Sequence, residues 1–303
     1  MYDIIVVGAG PAGLTAALYA LRADKKVLLI EKETFGGQIT FSPKVENYPG
    51  FPEISGNEFA EKLLDQVTAH GADIEMAEVT GIKNNGADYK TVVTDMGEFE
   101  GKTVIIATGA RHRHLGVEGE ERLIGMGISF CAICDGAFYA GQKVAVIGGG
   151  NSAIVEAMML SETSSEVVIV QNLSSLTGES KMVRALEAKS NVTMMFNTVV
   201  ESFEGEEMLS AIKLRNTETG ECSTLAVDGV FIAIGHAPEN GAFEEHTALD
   251  KYGYIVSDER CLTDTDGIFV AGDCRTKSIR QITTATADGA VAALAACRYL
   301  DSI

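Results

Sequence analysis

Residues 4–18 read IIVVGAGPAGLTAAL: a short β-branched run, the glycine pattern GxGxxG, and a stretch rich in Ala and Leu. Residues 144–157 read VAVIGGGNSAIVEA and repeat this arrangement, with Ala153 in place of the third glycine. A second apolar run follows each copy, at 27–30 and at 167–170. Strand, glycine loop, helix and strand make up the βαβ unit that binds dinucleotides. The repeat therefore predicts two Rossmann-like domains.

The two copies differ at the residue that ends the second strand, where such units contact the adenosine ribose. In the first copy it is Glu31, whose carboxylate can accept hydrogen bonds from ribose hydroxyls. In the second copy it is Gln171, and residues 172–177 contain no Arg, Lys or His. Because a 2′-phosphate usually requires at least one Arg, we expect weak or absent use of NADPH. NADH is not favoured either, because Gln171 is not acidic.

The rest of the chain predicts that one domain is inserted into the other. The first unit continues to a strand at 103–107, and the second ends with a strand at 230–234. The C-terminal segment, with a helix from about residue 282 to 300, is too short to form a core alone and should return to the first domain. We expect an α/β fold of two Rossmann-like, three-layer domains with mostly parallel sheets. The expected boundaries are 1–114 and 243–303 for the first domain and 115–242 for the inserted domain.

Composition excludes several classes of protein. The chain has 24 Lys and Arg against 43 Asp and Glu, a net charge of −19, which argues against nucleic-acid binding because phosphate contacts need a basic face. No apolar run reaches the ~20 residues that span a bilayer, and the N-terminus lacks the basic start of a signal peptide. We therefore expect a cytoplasmic protein with no membrane partner. Four widely separated cysteines are expected to be reduced or buried: Cys222, Cys261, Cys274 and Cys297.

Cys131 and Cys134 form a CxxC pair, which in a reducing compartment indicates metal or redox chemistry. A disulfide between them would close a small ring, and a nearby helix N-terminus would favour one thiolate. Such a thiolate attacks a partner disulfide and forms a mixed disulfide. A zinc site would need a second pair of ligands, and His112 and His114 lie beyond a linker. Redox chemistry without a metal is therefore the favoured interpretation.

Seven segments, spread along nearly the whole chain, resemble the low-molecular-weight thioredoxin reductases. The combinations most specific to that family are GGQ followed by VENYPG, and AGD followed by RQI. The resemblance implies an FAD domain in two segments, an inserted domain with the redox cysteines, and a homodimer. The segments are GAGPAG (8–13), GGQITFSPKVENYPG (36–50), IIATGA (105–110), CAICDG (131–136), VIGGGNSA (146–153), AIGHAPEN (233–240) and IFVAGDCRTKSIRQITTATADG (268–289).

The resemblance also implies which residues contact FAD. They come from both segments of the first domain and follow the cofactor from its pyrophosphate to its flavin ring. They are Gly8, Gly10, Pro11, Ala12 and Gly13 at the pyrophosphate, Glu31 at the ribose, Gly37 and Gln38 along the cofactor, Asn47 near the flavin, Thr108 and Gly109 on the adenosine side, Gly272 and Asp273 at the ribityl and phosphate groups, and Arg280, Gln281 and Ile282 over the isoalloxazine.

For the redox pair, the resemblance implies that Cys131 attacks thioredoxin and that Cys134 faces the flavin. Asp135 would donate a proton to the leaving thiolate. Thioredoxin docking in the family uses an apolar pair just after the CxxC motif. Here Phe138 is one aromatic, but Ala137 stands at the other position, so the identity of the partner is less secure than the redox role.

The electron donor is where the chain departs from ordinary members of the family. Those bind NADPH through a His-Arg-Arg run and another Arg, whereas residues 171–173 and Thr177 are uncharged here. The chain resembles the branch that lacks this motif and is reduced by ferredoxin. The retained Gly148 and Gly150 leave some nucleotide binding open. Because ferredoxins are acidic, docking needs a basic patch, and the densest basic run is 111–114.

The expected function is therefore an FAD-dependent thioredoxin-disulfide reductase with ferredoxin as the favoured donor. One alternative is an NAD(P)H-dependent reductase with an atypical nucleotide pocket. Another is a flavin-binding redox sensor in which the CxxC pair changes conformation without turnover. A ferredoxin–nucleotide reductase is disfavoured, because such relatives have no need of a CxxC pair.

Overall fold

The computed structural model of the protein describes residues 1–42, 44–86 and 89–303. Pro43, within the quoted segment 36–50, lies outside the described residues. The chain forms two compact units, one made of Met1–Arg111 with Ala237–Ile303 and the other of His112–His236. The transitions between units lie a few residues before the predicted boundaries. Each unit contains a wholly or mostly parallel sheet that includes the strands of one glycine-loop repeat, so the predicted α/β class is confirmed.

The first unit contains a seven-stranded sheet built around the first repeat. The apolar run at 4–7 lies in its central strand, where all four residues are buried. β-branched residues such as these favour strands, and burial on both faces accounts for the continuous apolar run. The strands, numbered along the chain, are β1 (Tyr2–Val7), β2 (Val27–Glu31), β3 (Asp73–Met76), β4 (Val79–Asn84), β5 (Lys90–Thr94), β6 (Gly97–Ile106) and β17 (Ile268–Val270).

The order of this sheet is β3-β2-β1-β6-β5-β4, with β17 paired to β6. β1, β2, β3, β6 and β17 run parallel, whereas β4 and β5 form an antiparallel extension. The parallel strands all have their carboxyl ends at the same side of the sheet. The loops that follow these ends are where ligands bind in sheets of this kind. The helices of this unit are α1 (Pro11–Arg22), α2 (Gly56–Ala69) and α7 (Ile282–Leu300), with short 3₁₀ helices at Gly37–Phe41, Gly241–Phe243 and Gly272–Cys274.

The second unit repeats the parallel arrangement and adds a small antiparallel sheet, which the sequence analysis did not predict. Its parallel sheet has the order β11-β10-β9-β15-β8, and β12, β13 and β14 form the antiparallel sheet. The strands are β8 (Ile128–Ser129), β9 (Lys143–Ile147), β10 (Glu166–Val170), β11 (Val192–Met195), β12 (Thr198–Glu204), β13 (Ala211–Asn216), β14 (Cys222–Ala226) and β15 (Gly229–Ile232). The helices are α3 (Glu120–Leu123), α4 (Ala132–Asp135), α5 (Asn151–Ser161) and α6 (Ser180–Glu187), with a 3₁₀ helix at Gly136–Tyr139.

Two short strands lie where the chain passes between the units, β7 (Arg111–His112) and β16 (His236–Ala237). Within the first unit, α1 and α7 pack closely against each other. Gly289 on α7 permits this approach, because a Cβ there would lie 2.2 Å from the Ala12 carbonyl oxygen. The packing of the C-terminal helix on the first glycine-loop helix accounts for the return of the C-terminal segment to the first unit.

Candidate active site

The first glycine loop joins β1 to α1 and leaves little room for side chains. Gly8 has a φ of +102°, and a Cβ there would lie 2.4 Å from the Ala107 carbonyl oxygen. A Cβ on Gly13 would lie 1.8 Å from the Gly8 carbonyl oxygen. At the end of β2, Glu31 Oε2 accepts a 2.7 Å hydrogen bond from the Ala9 N–H. The carboxylate expected at the ribose is therefore fixed beside the glycine loop.

The segment around Gly37 and Gln38 lies against the same loop. The Gly36 N–H donates to the Ala9 carbonyl at 2.8 Å, and a Cβ on Gly37 would lie 3.5 Å from Gly10 Cα. Gly36 and Gly37 both have positive φ, at +104° and +59°, which suits glycine. The structure thus brings two predicted cofactor segments, separate in sequence, into one group.

Thr108 and Gly109 follow β6 next to the glycine loop. The Thr108 hydroxyl donates to Asn240 Oδ1 at 3.2 Å. Asn240 is buried, and its amide donates to the carbonyls of Gly253 and Cys274 at 2.9 and 2.8 Å. Asn240 ties the end of β6 to the C-terminal segment. It lies in the quoted segment 233–240, but nothing in its local sequence distinguishes it from an ordinary loop residue.

Gly272 and Asp273 follow β17 and face α1, since a Cβ on Gly272 would lie 2.8 Å from the Ala12 side chain. One oxygen of Asp273, Oδ1, is buried and has no hydrogen-bond partner within the described ranges. Burial, the largest cause, raises the Asp273 pKa to about 6, although Lys277 and Arg280 lower it. A buried acceptor of this kind is suited to a hydroxyl donor from a bound molecule.

Arg280 and Gln281 lie close to this loop. Arg280 Nε donates to the Asp273 carbonyl at 3.3 Å, and its guanidinium lies 4.1 Å from the centre of the Tyr254 ring. Gln281 caps α7 in a capping box with Thr284. Its Oε1 accepts a 3.2 Å hydrogen bond from Asn47, so two of the four residues predicted at the flavin lie together. Ile282, also predicted there, is partly buried against the apolar cluster of Val45, Ile54 and Phe59.

Three charged residues missed by the sequence analysis support the Gly272–Asp273 loop. Asp288 on α7 accepts from the Gly272 N–H at 3.0 Å, from Arg275 at 2.8 Å and from Lys277 at 2.8 Å. Their side chains are 10%, 5% and 7% exposed. The signal for Asp288 in the sequence is an acidic residue in the middle of an Ala-rich helix, because a buried acid requires partners.

The redox pair lies in the second unit as a disulfide between Cys131 and Cys134, with a Cα–Cα distance of 5.3 Å. Cys131 precedes α4, and its sulfur accepts a hydrogen bond from the Cys134 N–H at 3.3 Å. Both cysteines are partly exposed. The ring closed by the disulfide is therefore accessible to a reactant from outside its unit.

Asp135 is linked to Cys131 through one hydroxyl group. Ser129 donates to Asp135 Oδ2 at 2.6 Å, and its oxygen accepts from the Cys131 N–H at 3.1 Å. The second oxygen, Asp135 Oδ1, is buried without a hydrogen-bond partner in the described part of the chain. Burial raises the pKa of Asp135, and the Ser129 hydrogen bond partly offsets this effect. A carboxyl group that keeps its proton to higher pH beside a disulfide can act as a proton donor.

The second glycine loop keeps its backbone form. Gly148 has a φ of +129°, and Gly150 precedes α5. The side chain of Gln171 is buried over this loop, where a Cβ on Gly149 would lie 2.3 Å from its Nε2. Thr177 donates its N–H to the Gly149 carbonyl at 2.8 Å. Neutral groups of the segment after β10 therefore pack against the loop, in place of a charged ribose or phosphate contact.

Comparison with known proteins identifies the family. Residues 2–289 match the pyridine nucleotide-disulphide oxidoreductase family. The thioredoxin reductase of Treponema pallidum is 41% identical over 303 residues, covering 100% of this chain and 98% of that protein. The thioredoxin reductase of Bacillus subtilis is 40% identical over 304 residues, covering 100% of this chain and 96% of that protein. The chain belongs to the low-molecular-weight thioredoxin reductases of this family.

A solved structure supports this assignment. The crystal structure of thioredoxin reductase from Streptococcus pyogenes has a TM-score of 0.96 and 40% sequence identity, covering 100% of this chain and 99% of that one. The chain is therefore an enzyme of the thioredoxin reductase family, and it has the fold of that family over its full length. None of these matches distinguishes one electron donor from another.

In this member of the thioredoxin reductases, the basic run at 111–114, the densest candidate for a docking patch, is partly neutralised. Arg111 forms ion pairs with Glu33 and Glu239. His112 is stacked on Phe130 with ring centroids 4.6 Å apart, and burial, followed by the charge of His236, lowers its pKa to about 3. The run thus contributes less positive charge than its sequence suggests, because acidic partners distant in sequence neutralise Arg111 and burial keeps His112 neutral.

The remaining predicted features of this thioredoxin reductase have the following environments. Phe138 is 37% exposed, and Ile133 inside the CxxC motif is 53% exposed. Cys222 is a free, exposed cysteine, whereas the other three are free and buried. Among residues 1–42, 44–86 and 89–303, no helix is long and apolar enough to cross a membrane. Nor does that part of the chain hold a cluster of three or more His, Cys, Asp or Glu side chains placed to bind a metal ion.

Proposed function

We propose that this protein passes two electrons from bound FAD to the Cys131–Cys134 disulfide and from there to thioredoxin. The observation that carries the proposal is the reducible pair with a half-buried acid, Asp135, joined to it through Ser129. Membership of the thioredoxin reductases supports the same reaction. When bound, FAD supplies redox chemistry that can accept electrons from a donor and deliver them as a pair.

The residues of the first unit fit FAD. The loops at Gly8–Gly13, Gly36–Gly37 and Gly272–Asp273 form one contiguous group, and Asp273 offers a buried acceptor without a partner among the described residues. We assign the pyrophosphate to the first glycine loop, whose helix N-terminus favours anions. We assign the ribose to Glu31 and the ribityl hydroxyls to Asp273. The full set proposed to contact FAD is Gly8, Gly10, Pro11, Ala12, Gly13, Glu31, Gly37, Gln38, Asn47, Thr108, Gly109, Gly272, Asp273, Arg280, Gln281 and Ile282.

We assign a chemical role to each reactive residue of the redox turn, the segment of residues 131–135 that contains the disulfide. Cys131 attacks the thioredoxin disulfide, forming a mixed disulfide, and Cys134 then attacks Cys131 and releases reduced thioredoxin. Asp135 gives a proton to the thiolate that leaves. Phe138 and Ile133 offer apolar surface next to the pair, where a partner protein has to approach.

We further propose that the donor is reduced ferredoxin rather than NADPH. The support comes from the second glycine loop. There the buried, neutral side chain of Gln171 occupies the position whose side chain contacts the adenosine ribose in such units. Two basic residues that follow, Lys181 and Arg184, are exposed on α6. Because charge-assisted hydrogen bonds contribute about 1.5–3 kcal/mol each, loss of several would weaken NADPH binding by orders of magnitude. By family resemblance we also expect a homodimer, which light scattering would test.

The donor is tested by mixing the oxidised holoenzyme anaerobically with NADPH, NADH or reduced ferredoxin and following flavin absorbance. We expect rapid bleaching with ferredoxin alone. Rapid bleaching by micromolar NADPH would overturn the ferredoxin assignment and favour an atypical nucleotide pocket. An enzyme bleached by ferredoxin that fails to reduce thioredoxin would instead favour a redox sensor.

The relay is tested with Cys134→Ser. This variant should retain FAD and lose thioredoxin reduction, because the mixed disulfide can no longer be resolved. Cys222→Ser is the matched control, since this cysteine is free and exposed in the same unit and should not affect turnover. Reductase activity that survives in Cys134→Ser would show that the CxxC pair is not the relay.

A further inference from the structure

Glu156 is a half-buried acid beside the redox turn, to which neither the sequence motifs nor the family resemblance assigns a role. It lies on α5, the helix that begins at the second glycine loop, and α5 packs against α4. Its carboxylate accepts a hydrogen bond from the N–H of Ala132, the residue directly after Cys131. Its other oxygen, Oε2, is buried and has no hydrogen-bond partner in the described ranges.

This arrangement is costly for a charged carboxylate. The buried oxygen, Oε2, is removed from water and receives no hydrogen bond from the described residues in exchange. The group is therefore more stable with a proton on the unpartnered oxygen. Any negative charge that appears on Cys131 adds to this preference, because the Ala132 N–H that contacts Glu156 belongs to the residue bonded directly to Cys131.

We propose that Glu156 is a positioning residue of the redox pair, which holds the Ala132 N–H and binds a proton when the disulfide opens. This proposal rests on the reductase function proposed above. Two electrons break the Cys131–Cys134 bond and leave charge on two sulfur atoms; one proton makes one thiol, and the other cysteine remains a thiolate. Above the pH at which Glu156 loses its proton in the disulfide state, a second proton enters from solvent onto Glu156. The remaining thiolate then lies beside a neutral carboxyl group.

The titration of Glu156 agrees with this role. Burial is the largest cause and raises its pKa to about 8, while the Ala132 hydrogen bond lowers it. Asp135 is distinct, because its carboxyl group is bonded to Ser129. The other titratable or charged groups on the elements packed against α5 are the two cysteines of the redox turn, Tyr139, Lys143 on β9, Glu166 on β10, and Lys181, Arg184 and Glu187 on α6. Lys143 and Glu166 pair with each other at 3.0 Å.

The test compares the wild-type holoenzyme with Glu156→Gln, which keeps an acceptor for the Ala132 N–H and cannot bind the proton. Each enzyme is equilibrated anaerobically with dithiothreitol from pH 6 to 10, and the Cys131–Cys134 state is read by thiol trapping and mass spectrometry. Proton uptake makes reduction harder as pH rises. Each titration gives an equilibrium constant for reduction of the disulfide by dithiothreitol. The wild-type constant divided by the variant constant should stay flat below pH about 8 and then fall by up to tenfold per pH unit.

Asp135→Asn is the matched control, because it removes the other acid next to the redox pair. Its equilibrium constant for disulfide reduction should fall with pH as steeply as that of wild type above pH about 8. The proposal would be overturned if the equilibrium constants of wild type and Glu156→Gln changed with pH in the same way. If Glu156→Gln does not retain FAD, the protons taken up per disulfide reduced are counted in wild type with an indicator dye, after the protons that dithiothreitol itself releases at each pH are subtracted. An uptake that does not increase between pH 7 and 9 would then overturn it. Neither readout uses thioredoxin or ferredoxin, so a failure of the proposed function is seen separately, as absent turnover.

Discussion

The carboxylate of Asp288 and the guanidinium of Arg275 form a two-pronged ion pair, with Oδ1–Nη2 and Oδ2–Nε distances of 2.8 Å. The pair is buried, and Asp288 also receives the Gly272 N–H and Lys277. It thereby fixes the loop that presents Asp273 to the proposed FAD site. The position of Asp288 in the sequence does not predict this role, because its partners lie 11 to 16 positions earlier, in the loop after β17.

Asp288→Asn is expected to destabilise the fold by about 3–5 kcal/mol, because it leaves two buried cations without their counter-charge. The free energy of unfolding is measured with urea, and FAD retention by gel filtration. Burial raises the Asp288 pKa, but Arg275 and Lys277 more than compensate and hold it below its usual value. The carboxylate therefore stabilises the fold above its unfolded pKa. This contribution disappears as pH falls through the lower folded pKa, so the variant and wild type should converge in acid.

The matched control is Asp258→Asn, which breaks the exposed pair with Arg260. Solvent screens this pair, so we expect no measurable change in unfolding. Equal effects of the two substitutions would contradict the structural role of the buried pair.

Asp135→Asn should slow thioredoxin reduction by about 10²–10⁴-fold, the usual contribution of a general acid, while leaving FAD bound. As a proton donor, Asp135 is active only when it is protonated. Turnover should therefore fall as the pH rises through the Asp135 pKa. Burial raises that pKa and the Ser129 hydroxyl lowers it. Ser129→Ala should therefore move the fall in turnover to higher pH. The measurement is kcat against pH for the three enzymes, and an unshifted profile in Ser129→Ala would contradict the role of the hydroxyl.

Much of the fold could be predicted, because the relevant signals are local. The helix expected from about residue 282 to 300 is observed at Ile282–Leu300, since Gln281 caps its start. The strands around both glycine loops were found for the same reason, as continuous β-branched runs next to glycines. The antiparallel sheet of β12, β13 and β14 was missed, because its strands mix polar and apolar residues without a distinct motif.

The parts of the site that could not be predicted depend on contacts between distant residues. Asn240 contacts Thr108 and Cys274, and no pattern in the sequence joins these positions. The charge of Arg111 is paired with Glu33 and Glu239, so a run that is basic in sequence is partly neutralised in the fold. Glycine loops and the CxxC pair carry their chemistry locally, whereas supporting residues acquire theirs only in the tertiary structure.

Gly289→Ala should destabilise the first unit by about 1–3 kcal/mol through overpacking, because a Cβ would lie 2.2 Å from the Ala12 carbonyl oxygen. The backbone of Ala12 belongs to the first glycine-loop helix, so FAD affinity should fall as well. Gly241→Ala is the control, because no atom of a described residue beyond its chain neighbours lies within 4 Å of a Cβ there. Urea unfolding and flavin release report both effects, and an unchanged urea midpoint in Gly289→Ala would be incompatible with the tight contact of α1 and α7.

Restoring positive charge to the segment after β10 should allow the protein to accept electrons from NADPH. Asn172 and Leu173 are exposed, so Asn172→Arg with Leu173→Arg adds two cations where ordinary members of the family hold the 2′-phosphate. At about 1.5–3 kcal/mol for each charge-assisted contact, every arginine that reaches the phosphate should tighten NADPH binding more than tenfold. The measurement is the NADPH concentration for half-maximal flavin reduction, with NADH as the matched cofactor that lacks the phosphate. An equal gain for NADH would mean that the arginines act without reading the 2′-phosphate. No gain for either cofactor would mean that the buried Gln171 side chain, rather than missing charge, excludes the nucleotide.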